Sequence, residues 1–124
     1  MIDFQNATFA KLREVSNDTY DKHIAPLLIE GETILATFQS LRDGVVFTNK
    51  RIIAINVQGV TGKSKDYTSL PYSKIQAYSI ETAGVFDMDS ELEVWFSTLG
   101  KIRFEFTGRT DVSLICRYIS GALL

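Results

Sequence analysis

Two short apolar runs separated by only two polar residues constrain the fold of this chain more than any other feature. The runs Val45–Thr48 and Arg51–Ile55 consist mainly of β-branched and aromatic residues, and Asn49-Lys50 stands between them. This pattern is typical of a β-hairpin, with positive φ expected at the two turn residues. A hairpin is marginal by itself, so the chain must supply further strands.

Period-two alternation predicts those further strands. They are expected at 34–39, 66–70, 75–82, 92–97 and 102–106. The last is the clearest, because Ile102, Phe104 and Phe106 share one face, and Gly100-Lys101 is expected to close the hairpin before it. With the two hairpin strands, the sequence predicts seven strands.

Spacings of three and four residues predict helices near both ends of the chain. The first helix would carry Phe4, Ala7, Leu12 and Val15 on one face, a short second one Tyr20, Ile24 and Leu27 before Gly31, and a last one Val112, Ile115, Cys116, Ile119 and Ala122. Pro26 argues against a long second helix. The predicted fold class is mainly β: a small antiparallel sandwich or partly open barrel, capped by a C-terminal helix, with a short helical N-terminal extension.

Length and charge restrict the function. The chain has 124 residues, enough for one domain, and its 13 Lys+Arg against 15 Asp+Glu give a formal charge of −2. That charge disfavours nucleic acid and anionic membranes as partners. We find no run long enough to span a bilayer and no signal-peptide pattern, and the single cysteine excludes an internal disulfide, so a cytoplasmic location is expected.

A series of short motifs resembles the bacterial pleckstrin-homology-like (PH-like) domain family, in particular its single-domain members. The motifs are Gly31-Glu32, Arg42-Asp43, residues 47–51 (FTNKR), residues 59–63 (GVTGK), Pro71-Tyr72, residues 81–84 (ETAG) with Phe86-Asp87, and residues 91–93 (ELE). The resemblance implies a PH-like seven-stranded, strongly bent sandwich with a C-terminal helix over 31–124, and leaves 1–30 as a helical extension. It also implies cyclic homo-oligomers, with a pentamer expected, and interaction with other proteins rather than catalysis.

The segment Gly59–Ser64 looks like the end of a phosphate-binding loop. The full motif needs a glycine at the position of Val57 and a helix after Ser64, whereas the sequence continues as a strand to Pro71. We therefore predict a glycine-rich strand connection with exposed Lys63 and Lys65. Weak binding of an anion or lipid headgroup by this loop stays open, as does a small enzyme that uses Lys63 on a phosphorylated ligand.

Alternating carboxylates at Asp87, Asp89, Glu91 and Glu93 resemble part of a calcium loop. An EF-hand counted from Asp87 needs glycine and glutamate where this chain has Leu92 and Thr98, so we predict a solvated acidic loop without a metal. The single histidine, His23, cannot form a metal site alone, and Cys116 is expected to pack as a small hydrophobic residue.

Trp95 is the residue most open to two interpretations. It points away from the face shared by Leu92, Val94 and Phe96, so either the N-terminal helix covers it or it is an anchor for a subunit or partner. The candidate interaction surface is Trp95, Lys63, Lys65, Asp87, Asp89 and Glu91. The expected function is a non-enzymatic module, without catalytic residues or cofactors, that forms a cyclic homo-oligomer and presents a composite polar surface to another protein. The alternatives are an anionic lipid or headgroup module and a small phosphate-ligand enzyme.

Overall fold

The predicted hairpin lies within one strongly curled sheet of eight strands, counted over the residues that the structure describes. The structure is a computed structural model that describes residues 1–5, 7–62, 64–84, 89–108 and 110–124. The strands are β1 (Ala7–Val15), β2 (Ile34–Gln39), β3 (Gly44–Thr48), β4 (Arg51–Gln58), β5 (Ser64–Pro71), β6 (Ile75–Glu81), β7 (Ser90–Phe96) and β8 (Gly100–Phe106). They pair in the order β5-β4-β3-β2-β1-β8-β7-β6.

The helical elements are short apart from the last one. They are α1 (Asp21–Ile24), a 3₁₀ turn (Ala25–Leu27), a second 3₁₀ turn (Tyr72–Lys74) and α2 (Val112–Leu123). Asp111 caps α2 by accepting a hydrogen bond from the N–H of Leu114 (3.1 Å). The seven predicted strands, the short helix near Ile24 and the C-terminal helix are confirmed.

Aromatic rings fill the concave side of the sheet. Phe38, Phe47 and Phe106 lie with ring centroids 4.9 to 6.5 Å apart, and Phe9 stacks on Phe104 at 5.5 Å. Helix α2 covers this core with its buried residues Val112, Ile115 and Ile119. Each buried phenylalanine stabilises the fold by about 2 kcal/mol relative to an exposed one, so burial of these rings favours the curled sheet that encloses them.

The first predicted helix is wrong, because residues Ala7–Val15 form β1. The first half of β1 pairs with β8 in parallel and the second half pairs with β2 antiparallel. Between Phe9 and Leu12 the register shifts, and Lys11 takes a left-handed conformation with φ of 55°. This bulge turns both Phe9 and Leu12 into the core, so the inward-facing residues are spaced like those of a helix.

A second, smaller core covers the outer side of β3 and β4. Ile24 packs there on Val46, Ile53 and Ile55, with Tyr20 against its edge. Gly44 permits this contact, because a Cβ at that position would overlap the Tyr20 ring and hydroxyl. The segment around α1 is therefore packed onto the sheet on a face that the strands alone would expose.

An ion pair and a hydrogen bond connect the segment that follows α1 to the β3–β4 hairpin. Arg51 binds the Glu32 carboxylate through two nitrogens, at 2.9 and 3.0 Å, and also donates to the carbonyl of Leu27 (2.7 Å). The Glu32 side chain has no solvent exposure. Burial by itself raises the pKa of Glu32, but hydrogen bonds from Arg51, Thr48 and the backbone outweigh burial and hold the pKa below its usual value.

The hairpin turn does not use the positive φ expected at Asn49-Lys50, since neither residue has it. Side chains hold the turn instead. Thr48 Oγ1 accepts hydrogen bonds from the N–H groups of Lys50 and Arg51 (both 3.0 Å), and Asn49 Oδ1 accepts one from the N–H of Thr33 (2.8 Å). The turn is thus fixed by hydrogen bonds to its neighbours rather than by a left-handed backbone.

Candidate functional site

The convex side of β6, β7 and β8 carries the candidate site, which we call the β6–β8 face. It consists of three rows of directly opposite residues: Ala77, Trp95 and Lys101; Ser79, Glu93 and Arg103; and Glu81, Glu91 and Glu105. Alternation along each strand places these side chains outward while their neighbours enter the core.

Trp95 lies in the first row and is 42% exposed. The Lys101 ammonium sits 5.0 Å from the centre of its ring and 3.5 Å from the Glu93 carboxylate. Leu99, in the loop between β7 and β8, is 52% exposed at the same end of the face. The expectation that an N-terminal helix covers Trp95 is wrong, because that segment is β1. The alternative, an anchor for a subunit or partner, stays a prediction.

The third row brings three glutamates side by side across three strands. Arg103 binds one of them, Glu91, with nitrogen–oxygen distances of 2.9 and 3.0 Å. This hydrogen bond and the charge of Glu91 raise the pKa of Arg103, and Glu105 adds to the effect. Like charges directly opposite each other destabilise a sheet, so this end of the face is suited to contact with a cation.

Next to this face, the edge of β6 exposes backbone groups whose direction the hydrogen bonds define. Lys101 donates its N–H to the carbonyl of Phe4, on the β1 side of β8 (3.1 Å). The backbone N–H and C=O groups of Lys101 and of every second residue after it on β8 therefore point away from β7. Trp95 lies opposite Lys101, so its backbone N–H and C=O groups point to β6 and bond to Ala77. The N–H and C=O groups of Tyr78 and Ile80 therefore point outward from the sheet. No strand pairs with them among the described residues.

The opposite edge of the sheet is β5, and its free groups follow in the same way. Tyr72 donates its N–H to the carbonyl of Lys50 on the β4 side (3.2 Å). The backbone groups of Lys65, Tyr67 and Ser69 therefore point outward. Lys65 thus belongs to the other edge and is not brought into the β6–β8 face.

The other predicted site residues have different outcomes. Trp95 and Glu91 share the outer side of β7, and Asp89 lies directly before that strand. Lys63 and Asp87 lie outside the described residues. The sequence does not indicate Glu81, Lys101 and Glu105 as site residues, since only the register between strands shows that they join Trp95 and Glu91.

The glycine-rich loop lies between β4 and β5 and is a strand connection, as predicted, and Gly59 and Gly62 have positive φ. Lys65 is partly buried and not exposed as expected. The guanidinium of Arg42 donates to the carbonyl of Gly59 (2.7 Å) and so links this loop to the β2–β3 loop. Arg42 is thus already engaged by the protein backbone.

A depression of about 280 Å³ beside the start of β1 has Thr8, Asn56 and Gln58 among its polar lining, and of the described residues no histidine, cysteine or lysine lines it. Within the described ranges, no three His, Cys, Asp or Glu side chains are grouped to hold a metal, and no helix is long and apolar enough to cross a membrane. Cys116 is partly buried on α2.

Two proteins of Bacillus subtilis are similar to this chain in sequence. The protein YjqA of Bacillus subtilis (strain 168) is 46% identical over 83 residues, which cover 67% of this chain and 66% of YjqA, just under two thirds of its length. YozO of the same organism is 36% identical over 99 residues, covering 80% of this chain and 85% of YozO.

Two solved structures resemble the chain along most of its length. One is a DUF1696 family protein with a pleckstrin-homology domain from Shewanella loihica PV-4, with TM-score 0.80, 38% identity, and coverage of 94% of this chain and 100% of that one. The other is a pleckstrin homology domain from Shewanella amazonensis SB2B, with TM-score 0.66, 39% identity, and coverage of 89% and 90%. A family profile described as Bacterial PH domain matches residues 3–123. The resemblance seen in the sequence is therefore confirmed, and this chain belongs to the bacterial PH domain family.

Proposed function

We propose that this chain is a non-enzymatic interaction module that forms a cyclic homo-oligomer and presents a composite polar surface to another protein. The observation that carries the proposal is the pair of sheet edges, β5 and β6, whose outward backbone groups have no strand partner among the described residues. Open edges of this kind pair readily with other chains, and natural proteins cover them.

Self-association is assigned to the β5 edge. Its outer side carries Lys65, Tyr67 and Ser69, which are neutral or basic. The β6 edge adjoins the row of glutamates, and a contact between two such rows would bring like charges together. A contact between the β5 edge and a different surface of the next copy is heterologous, and contacts of that type close into rings when the rotation fits.

A ring repeats every exposed surface around its axis. Five copies, the number expected from the family resemblance, would present five β6–β8 faces to one partner. Weak contacts at each face then combine into stronger binding, because later contacts form within one complex.

Light scattering coupled to gel filtration tests the assembly at micromolar concentration. We expect a molar mass that is a multiple of the 13.9 kDa chain. Lys65→Pro should dissociate the assembly, since the ring of proline replaces an outward N–H and obstructs an added strand. Lys65→Ala is the matched control, because it removes the charge but keeps the N–H. A wild-type chain that elutes only as a 13.9 kDa monomer refutes the ring.

A further inference from the structure

The outward backbone groups of β6, the row of three glutamates and Trp95 lie close together, and they favour one kind of binding partner. We propose that β6 is the docking strand for an extended segment of a partner protein, added antiparallel as a further strand, with a basic residue opposite Glu81 and an aliphatic residue opposite Ala77. The inference rests on the proposed function, namely that the chain is a protein-interaction module, and it names the chemistry of the partner.

The backbone supplies the first requirement. Tyr78 and Ile80 each offer one N–H and one C=O outward from the sheet. An extended segment can satisfy all four groups with two of its own residues, separated by one residue whose backbone points away. This is strand addition to an open edge, in which backbone bonds give affinity and side chains give specificity.

The outer side chains supply the charge and the apolar contact. On β6 the outward residues run from Ala77, beside Trp95, to Glu81, beside Glu91. Ala77 and Glu81 are four positions apart on the strand, a distance of about 13 Å. An antiparallel partner therefore needs a lysine or arginine first and an aliphatic residue four positions later.

The inward side chains of β6 also favour apolar residues at the two partner positions that lie opposite Tyr78 and Ile80. Tyr78 and Ile80 are partly buried and pack on the main core, and the Tyr78 hydroxyl lies 2.7 Å from Ser120 Oγ on α2. The partner residues that bond to their backbone project on the same side of the sheet. Valine at these two positions would extend the apolar surface and favour the extended conformation.

A second copy of this chain does not fit the same place through β5. On β5 the backbone of Lys65 points outward and its side chain lies on the convex side of the sheet. Antiparallel bonding to Tyr78 and Ile80 would place that side chain on the concave side, away from Glu81. The charge of the glutamate row thus favours a different protein with a basic, extended segment.

The test uses an acetylated and amidated peptide of sequence KVTVL, titrated into the full chain at low salt. Trp95 is the single tryptophan and lies directly opposite Ala77, so its fluorescence reports on the site. We expect a saturable blue shift. N-methylation of both valines removes the two N–H donors and should weaken binding tenfold or more, about two net hydrogen bonds. N-methylation of the central threonine, whose N–H points away from β6, is the matched control and should change affinity less than about twofold.

Charge is tested on the protein side. Glu81→Gln should lower the affinity for the peptide about threefold at low salt. Glu30 is an exposed glutamate outside this face, and Glu30→Gln should leave the affinity unchanged. The inference is overturned if the peptide gives no saturable change, if the doubly methylated peptide binds as tightly as the parent, or if Glu81→Gln has no effect. These results are independent of light scattering: an oligomer that ignores the peptide refutes this inference alone, and a monomer that binds it refutes only the ring.

Discussion

Replacing Arg51 by alanine should lower the unfolding free energy of this protein more than the substitution of an exposed side chain. The substitution removes the only cation bound to the Glu32 carboxylate among the described residues, together with the bonds from Arg51 to Leu27 and Ser69. Glu32 then stays buried with hydrogen bonds from Thr48 and the backbone of Ile29 only. Breaking a buried pair by removing one partner costs about 3 to 5 kcal/mol.

The lower end of that range applies here, because the Arg51 side chain is 20% exposed and water can reach the vacated space. We expect a loss of about 3 kcal/mol in unfolding free energy, or about 10 °C in Tm for a domain of this size. Urea titrations followed by circular dichroism at pH 7 measure it.

The pH dependence separates this explanation from a loss of packing. In the wild type the pKa of Glu32 is lowered on folding, so its contribution is present above the unfolded pKa and is lost as pH falls through the folded value. Without Arg51, burial dominates and raises the pKa of Glu32, so acid relieves the buried charge. The difference in stability between wild type and Arg51→Ala should therefore shrink from pH 7 to pH 4.

The control replaces both partners with apolar residues of similar size, Glu32→Leu with Arg51→Met. This pair should cost less than Arg51→Ala alone, because no unpaired charge remains buried. A difference that stays constant with pH, or a double variant less stable than Arg51→Ala, would refute the reasoning.

Three further substitutions test local features. Lys11→Val should cost about 1 to 2 kcal/mol relative to Lys11→Gly, since a β-branched residue resists the positive φ of the bulge; thermal melts compare them, and equal melting temperatures would exclude the strain. Gly44→Ala should cost about 1 to 3 kcal/mol by displacing Tyr20, and less in a Tyr20→Phe background, as a double-mutant cycle in urea will show. Cys116→Ala should cost about 1 kcal/mol or less without changing the assembly, because the thiol is only partly buried; loss of the oligomer at unchanged stability would contradict this.

The sequence predicted seven of the eight strands that the described residues form. From β2 to β8, alternation or a continuous β-branched run matches the strand that forms. The exception is β1, where the bulge at Lys11 adds one residue between Phe9 and Leu12. An added residue changes the inward spacing from two to three, and period analysis cannot distinguish that spacing from a helix.

The candidate site was less predictable for a different reason. The outward direction of Trp95 follows from its own strand, and the structure confirms it. The neighbours of Trp95 come from the register of three strands, and a shift of one residue would replace Lys101 and Ala77 by core residues. The hairpin turn shows the same limit, since the backbone groups of Gly31 and Thr33 that bond to the Asn49 side chain come from the segment before β2.

The position of β1 between β2 and β8 also affects how the chain folds during synthesis. The half of β1 that pairs with β2 can form its hydrogen bonds as soon as β2 has left the ribosome. The other half must wait for β8, because the bonded residues Leu12 and Thr107 are 95 positions apart. Contacts of such long range form slowly. Until then one side of β1 stays unpaired in a nascent chain, and an unpaired strand edge of this kind is prone to aggregation.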